Sequence, residues 1–269
     1  PCDTCTQARV NWWAQKAFED ALGRMNEEQL TAWEKGYDDE IKDFFSKESF
    51  TKEELAEWKL NRYIQDYLRT IISVDESIGR ILSYLEENDL KDNTLIIYTS
   101  DQGFFLGEHG LFDKRYMYEE SLQTPLLMMY PEKLESGITS SELVQNLDIA
   151  PTLLEAAGIE IPGPMQGRSL LPLMIEKEDI EWRDAIYYQF YETGWGVTPH
   201  YGIRTDRYKL IRFETEPVTW ELYDLEQDPG EMKNMYGKVE YNKIQKELHT
   251  KLAELRKKYS LTGSLEKLP

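Results

Sequence analysis

A long amphipathic helix followed by a buried strand constrains the fold of this chain most. Residues 51–54 read Thr-Lys-Glu-Glu, the pattern of a helix capping box, and apolar residues recur every three or four positions from there to about Glu87. After a turn at Asn93, residues 95–100 read Leu-Ile-Ile-Tyr-Thr-Ser, a β-prone run typical of a strand covered on both faces. Helix, turn and buried strand predict an α/β domain with a largely parallel sheet flanked by helices.

Two further segments continue this α/β part. Residues 125–129 read Pro-Leu-Leu-Met-Met, a second short apolar run. Asp148 is placed to cap a helix that extends to Ala157, and Gly158 is a typical residue just beyond a helix end. We assign residues 1–175 to the α/β domain.

The remaining residues, 176–269, have the pattern of a smaller subdomain. Short segments of alternating polarity predict an antiparallel sheet, with strands at residues 186–191, 200–204, 208–213 and 220–224. Apolar residues at helical spacing between positions 242 and 259 then predict a terminal helix that closes this sheet.

Charge and residue counts exclude several kinds of partner. The chain has 31 Lys and Arg against 50 Asp and Glu, a formal net charge of −19. A chain this acidic repels phosphate backbones and anionic lipid headgroups, so we predict no nucleic-acid partner. No apolar run approaches the roughly 20 residues of a membrane span, so we predict no such span. With 2 Cys and 3 His, the chain also cannot make a disulfide framework or a His-rich zinc site.

The residues just after the first predicted strand carry the candidate chemistry, because α/β sheets bind ligands beyond the carboxyl ends of their strands. Asp101 and Gln102 place two hard oxygen donors there, which suit Ca²⁺ or Mg²⁺. Lys114 follows in the same glycine-rich segment. The residues alone leave alternatives open: Asp-X-Gly is common turn chemistry, Lys114 has the character of a solvated lysine, and His109 is placed to cap a loop.

A series of motifs follows in a consistent order along the chain. They are Ser-Asp-Gln-Gly at 100–103, Leu-Gly-Glu-His-Gly at 106–110, Lys114, Tyr-Glu-Glu at 118–120, Thr-Pro-Leu at 124–126, residues 144–152, Gln-Gly-Arg-Ser-Leu at 166–170, residues 200–205, residues 208–211 and residues 221–225. This order resembles the second half of the catalytic domain of type I sulfatases, in the alkaline-phosphatase-like superfamily. The resemblance covers roughly residues 50–260 and is nearest to bacterial arylsulfatase-like and glycan sulfatases.

The resemblance implies a sulfuric ester hydrolase that acts on a sulfated carbohydrate or an aryl sulfate ester. It implies that Asp101 and Gln102 are metal ligands, for Ca²⁺ with Mg²⁺ as the alternative, and that Lys114 is a catalytic lysine that binds the sulfate. His200 begins a segment that borders the substrate pocket in relatives, and we include His200 and His109 as candidate substrate-binding residues. A periplasmic or extracellular location is expected.

None of the motifs named above contains the nucleophile of that family. It is a formylglycine made from the Cys of a Cys-X-Pro-X-Arg motif. Cys5 and Arg9 have the required spacing, but Ala8 and Gln7 lie between them without the Pro, and the early Asp-Asp pair of metal ligands does not precede them. We therefore expect formylglycine from a Cys outside this chain, and an incomplete site in the chain alone. Apolar surface left open by absent strands would favour self-association.

Two other functions remain as alternatives. A phosphoryl hydrolase of the same superfamily would use several His ligands, and Gln102 occupies a position where His is often needed. A non-catalytic module that binds a glycan or a partner would use the aromatic residues of the second part, which are Tyr187, Tyr188, Phe190, Tyr191 and Trp195. Tyrosines that alternate along a strand are more typical of cross-strand packing.

Overall fold

The computed structural model describes residues 16, 19–47, 49–175, 180–193 and 196–260. Cys5 and Trp195 lie outside these residues. The chain separates into two compact units, residues 1–67 and 68–269. The division predicted at residue 175 stays a prediction. None of the helices among the described residues has the length and apolar character needed to cross a bilayer.

Two helices lie between Asn26 and the first strand. Helix α1 spans Glu27–Ser46, and its capping box joins Asn26 and Gln29 through reciprocal hydrogen bonds of 2.8 and 3.0 Å. Helix α2 spans Lys52–Glu87, and the predicted capping box is confirmed by reciprocal bonds between Thr51 and Glu54. Much of the apolar face of α2 stays exposed to solvent in this chain, including Ile72 at 58% and Ile81 at 59%.

The first two strands pair in a direction that differs from the prediction. Strand β1 (Ile96–Thr99) and strand β2 (Leu126–Met129) form a two-stranded antiparallel sheet, with Ile96 opposite Met129. The connection contains a 3-10 turn at Glu108–Gly110 and the four-residue helix α3 (Glu119–Leu122), and no full crossover helix of the kind that usually joins parallel neighbours. The parallel part of the predicted sheet is therefore not confirmed. The predicted cover on both faces is also not met in this chain, since Tyr98 is 38% and Leu127 65% exposed. An apolar run carries no information about strand direction.

The helix after β2 has nearly the predicted bounds, but the predicted capping role of Asp148 is wrong. Helix α4 spans Ile149–Ala156, and Gly158 adopts a φ of +71° just beyond it. Asp148 directly precedes the helix, but its carboxylate does not cap it. The carboxylate is fully buried and accepts hydrogen bonds from the backbone N–H groups of Gln145 and Arg168 and from the guanidinium of Arg183. A short helix α5 follows at Leu171–Met174.

The C-terminal subdomain has the predicted form of an antiparallel sheet closed by a helix. Its four strands pair in sequence order, as β3 (Ala185–Phe190), β4 (His200–Thr205), β5 (Tyr208–Phe213) and β6 (Thr219–Asp224). Helix α6 spans Asn242–Lys258 and buries Leu248 and Leu252 against Ile203, Leu210 and Leu222 of the sheet. This apolar layer is the main core of the subdomain.

Candidate active site

A cavity of about 870 Å³ brings together Asp101, Gln102 and Lys114. Asp101 and Gln102 follow the carboxyl end of β1, where ligands of α/β sheets commonly bind. The remaining polar and aromatic wall includes Arg115, Glu119, Ser121, Gln123, Thr124, residues 140–147, Tyr187, Tyr188, Phe190 and Arg204. The side chains that the sequence placed at one site therefore share one cavity.

The backbone of the Asp101–Gln102 segment is held by its neighbours. The side-chain amide of Asn146 donates to the carbonyl oxygen of Asp101 at 2.7 Å, and the N–H of Gly103 donates to the carbonyl oxygen of Ser121 at 2.8 Å. A Cβ atom on Gly103 would lie 2.0 Å from the carbonyl oxygen of Glu120, so a residue larger than glycine would displace this segment. These contacts hold the backbone of two residues that line the cavity.

The donor set of this segment fits part of a metal site. A carboxylate and a carboxamide oxygen are suitable ligands for Ca²⁺ or Mg²⁺. Calcium takes about six to eight oxygen ligands, and the described residues contain no group of three or more His, Cys, Asp or Glu arranged to hold a metal. Asp101 and Gln102 can therefore contribute to such a site, while other ligands must complete it.

A buried ion cluster lies next to the cavity and includes Glu119 of the cavity wall. The ammonium of Lys209 on β5 is fully buried and lies 2.8 Å from the carboxylate of Glu119 and 2.7 Å from that of Glu231. Arg204 of β4 also contacts Glu119, at 3.2 Å. Burial raises the pKa of Glu119, but Lys209 and Arg204 outweigh it and hold this pKa below its ordinary value. Burial dominates at Glu231 and raises its pKa, against the opposing effect of Lys209.

His109 contacts a neighbouring aromatic ring and a neighbouring carboxylate within its own segment. It is not among the residues that line the cavity. Its φ is +54°, its ring stacks on that of Tyr118 with centroids 4.4 Å apart, and its Nε2 lies 3.5 Å from the carboxylate of Glu120. This geometry favours the loop-capping alternative over a direct substrate contact.

His200 lies behind the cavity wall. It is 1% exposed, and its Nδ1 lies 2.8 Å from the carbonyl oxygen of Thr198. Four aromatic rings surround it with centroids 5.1–5.7 Å away, those of Tyr116, Tyr188, Phe190 and Phe213. Tyr188 and Phe190 line the cavity, whereas His200 does not. This geometry favours support of the wall over contact with substrate.

The buried position of His200 leads to a pH-dependent prediction. Burial lowers the pKa of His200, because the charged imidazolium loses solvation. Since the folded state favours the neutral ring, the stability that this preference contributes is present above the ordinary pKa of 6.5 and is lost as pH falls through the folded value. We expect the free energy of unfolding of the chain to fall relative to that of His200→Phe below pH 6.5, by up to about 1.4 kcal/mol per pH unit. Denaturant titrations between pH 5 and 8 test this, and a constant difference would contradict it.

Several wall residues were not singled out by sequence reasoning. Asn146, Ser121 and Arg204 lie within or next to the motifs, but their residue types alone do not distinguish a site residue from a surface residue. The only sequence signal was their position inside an ordered motif series. Glu119 and Lys209 belong to the motifs at 118–120 and 208–211, but the sequence does not indicate that they pair, since they lie far apart along the chain.

Comparison with known proteins identifies the family. A family model described as Sulfatase matches residues 13–159, and one described as N-sulphoglucosamine sulphohydrolase, C-terminal, matches residues 107–258. The chain is 48% identical over 240 residues to N-acetylglucosamine-6-O-sulfatase of Bacteroides thetaiotaomicron, covering 88% of this chain and 43% of that protein.

Solved structures show the same relationship. A complex of a protein with its substrate D-glucosamine-2-N,6-O-disulfate matches with a TM-score of 0.86 and 46% identity, covering 92% of this chain and 51% of that one. Phosphonate monoester hydrolase of Agrobacterium radiobacter matches with a TM-score of 0.63 and 28% identity, covering 70% of this chain and 40% of the hydrolase. The chain thus spans about half the length of these relatives or less. The sulfatase model covers more than half of the chain and agrees with a sulfatase relative identical at 48% of aligned positions, so this chain belongs to the sulfatase family.

Proposed function

We propose that this chain supplies the C-terminal half of the active site of a sulfuric ester hydrolase that acts on sulfated glycans. The observation that carries the proposal is the shared cavity of Asp101, Gln102 and Lys114 at the end of β1. Two similar proteins support the substrate class: one is named N-acetylglucosamine-6-O-sulfatase, and one was solved with D-glucosamine-2-N,6-O-disulfate. Aryl sulfate esters are the second substrate class.

Membership of the sulfatase family implies a metal ion and a formylglycine. We propose Ca²⁺, with Mg²⁺ as the alternative, held in part by the oxygens of Asp101 and Gln102. When bound, such an ion stabilises negative charge on the sulfuryl oxygens. We propose that the formylglycine comes from a Cys outside this chain, and that β1 continues into a largely parallel sheet completed by the preceding half of the protein.

In this proposal Lys114 binds the sulfate group. Its ammonium donates hydrogen bonds to the sulfuryl oxygens or to the leaving oxygen, where negative charge grows in the transition state. Arg115 and Arg204 add positive charge to the same cavity wall. This local charge is needed because a chain with a net charge of −19 otherwise repels an anionic substrate.

The incomplete metal site predicts the behaviour of the chain alone. We expect the purified 269-residue chain with calcium to hydrolyse a chromogenic aryl sulfate or glucosamine 6-sulfate no faster than the blank. Two side-chain ligands with one formal charge hold Ca²⁺ weakly, and the covalent nucleophile is expected elsewhere. Hydrolysis above the blank that Asp101→Ala abolishes would show that the chain contains a complete site.

The complete protein tests the function itself. We expect the chain joined to its formylglycine-bearing half to release sulfate from glucosamine 6-sulfate, and removal of the metal with a chelator to abolish this activity. Preferential hydrolysis of the matching phosphate ester or of a phosphonate monoester would favour the phosphoryl hydrolase alternative. Binding of the sugar without turnover, in protein with verified formylglycine and metal, would favour a glycan-binding module.

A further inference from the structure

The residue after Lys114 has a strained backbone. Arg115 adopts a φ of +103°, although it is not a glycine. Steric clashes make this region costly for residues with a Cβ atom, so the conformation persists only where the surrounding structure holds it. Lys114 and Arg115 both line the cavity.

Two side chains hold the backbone of Arg115 on opposite sides. Its N–H donates to the hydroxyl oxygen of Ser121 at 3.2 Å, and its carbonyl oxygen accepts a hydrogen bond of 2.7 Å from the hydroxyl of Tyr188. Ser121 is 6% exposed, and Tyr188 belongs to β3 of the C-terminal sheet. Burial raises the pKa of Tyr188 to about 12, so its hydroxyl remains a donor throughout the neutral range.

Ser121 also contacts the other half of the site. Its carbonyl oxygen accepts the hydrogen bond from the N–H of Gly103, directly after Asp101 and Gln102. Its helix α3 is tied to the C-terminal sheet by the ion pair of Glu119 with Lys209. Ser121 therefore connects the Asp101–Gln102 segment to the Lys114 segment, and Tyr188 fixes the latter to β3.

We propose that Tyr188 and Ser121 are positioning residues that hold Arg115 in its strained conformation and thereby direct Lys114 at the sulfate ester. The inference rests on the proposed function for its catalytic consequence. The hydroxyl hydrogen of Tyr188 is already used in the bond to Arg115, so the residue acts through the loop and not as a donor to substrate. Displacement of a catalytic group by about 1 Å can lower a rate up to about 100-fold.

The test begins with Tyr188→Phe, which removes the hydroxyl and keeps the ring. In the complete sulfatase we expect kcat to fall about ten- to a hundredfold with little change in KM. Tyr201→Phe is the matched control: its hydroxyl is also bonded, to Arg256 at 2.8 Å, but Tyr201 does not line the cavity, and we expect a change below about twofold. Ser121→Ala should lower kcat in the same way, and Ser121→Thr, which retains a hydroxyl, should recover part of it.

Two readouts separate positioning from a general structural role. Because Tyr188 acts through Lys114, its substitution should cost little further activity in a Lys114→Ala background, whereas independent effects would multiply. Amide exchange followed by mass spectrometry should be faster in the peptide spanning residues 113–117 of Tyr188→Phe and unchanged there in Tyr201→Phe. Multiplicative losses, or unchanged exchange at 113–117, would overturn the inference. If the complete protein cleaves no sulfate ester, the proposed function fails, and the exchange result still decides whether Tyr188 holds the segment 113–117 in place.

Discussion

Replacing Lys114 with alanine is expected to lower kcat of the complete sulfatase by about 10²–10³-fold. The loss corresponds to one charge-assisted contact with the developing charge of the transition state, about 3–4 kcal/mol in a site that excludes water. Stability should change little, because Lys114 forms no salt bridge among the residues that the structure describes and is only partly buried. Steady-state kinetics and thermal unfolding of the same preparations measure the two effects.

The matched control for this substitution is Lys243→Ala. Lys243 is a lysine of α6 with an 87% exposed side chain, outside the cavity wall, so it tests the loss of one positive charge from an acidic protein. We expect its kcat to equal that of the unsubstituted enzyme. If Lys114→Ala turned over at the same rate as Lys243→Ala, or if it failed to fold, Lys114 would not be the catalytic lysine.

Replacing Lys209 with methionine is expected to lower the free energy of unfolding by about 3–5 kcal/mol. The substitution keeps the length of the side chain but leaves the carboxylates of Glu119 and Glu231 without their buried cation. Arg204 still contacts Glu119, so Glu231 carries most of the cost. Denaturant unfolding measures the change, and a loss below about 1 kcal/mol would contradict this role of the cluster.

A control at an exposed ion pair and a pH series both test whether the loss of stability comes from the buried cluster. Lys251 pairs with Asp184 at the surface, where the side chains are 35% and 77% exposed, so Lys251→Ala should cost less than about 1 kcal/mol. Without Lys209, the pKa of Glu231, which burial already raises, rises further above its ordinary value of 4.5. A raised folded pKa favours the protonated form, so the deficit of Lys209→Met should be largest at neutral pH and shrink as pH falls toward 4.5. A deficit independent of pH would contradict the buried carboxylates as its cause.

Local patterns were sufficient to predict several elements. The capping box at Thr51 and Glu54 forms because its two hydrogen bonds involve residues only three positions apart. Gly158 ends α4 because glycine adopts positive φ without steric cost. The four C-terminal strands were predictable because short β-prone segments are separated by turns. Their burial was not, since α6 covers one set of apolar side chains of the sheet and Met117 packs against another.

The ordered motif series predicted which residues meet at the candidate site. The ordered motifs selected Asp101, Gln102 and Lys114, and these line one cavity. Strand direction, the burial of His200 and the pairing of Lys209 with Glu119 and Glu231 became visible only in the folded chain. The physical reason is that burial and ion pairing depend on which distant segments meet, and a residue type does not state its partner. The strained backbone of Arg115 also depends on distant segments, because hydroxyl groups from α3 and β3 bind it. No local pattern predicts a positive φ at this arginine.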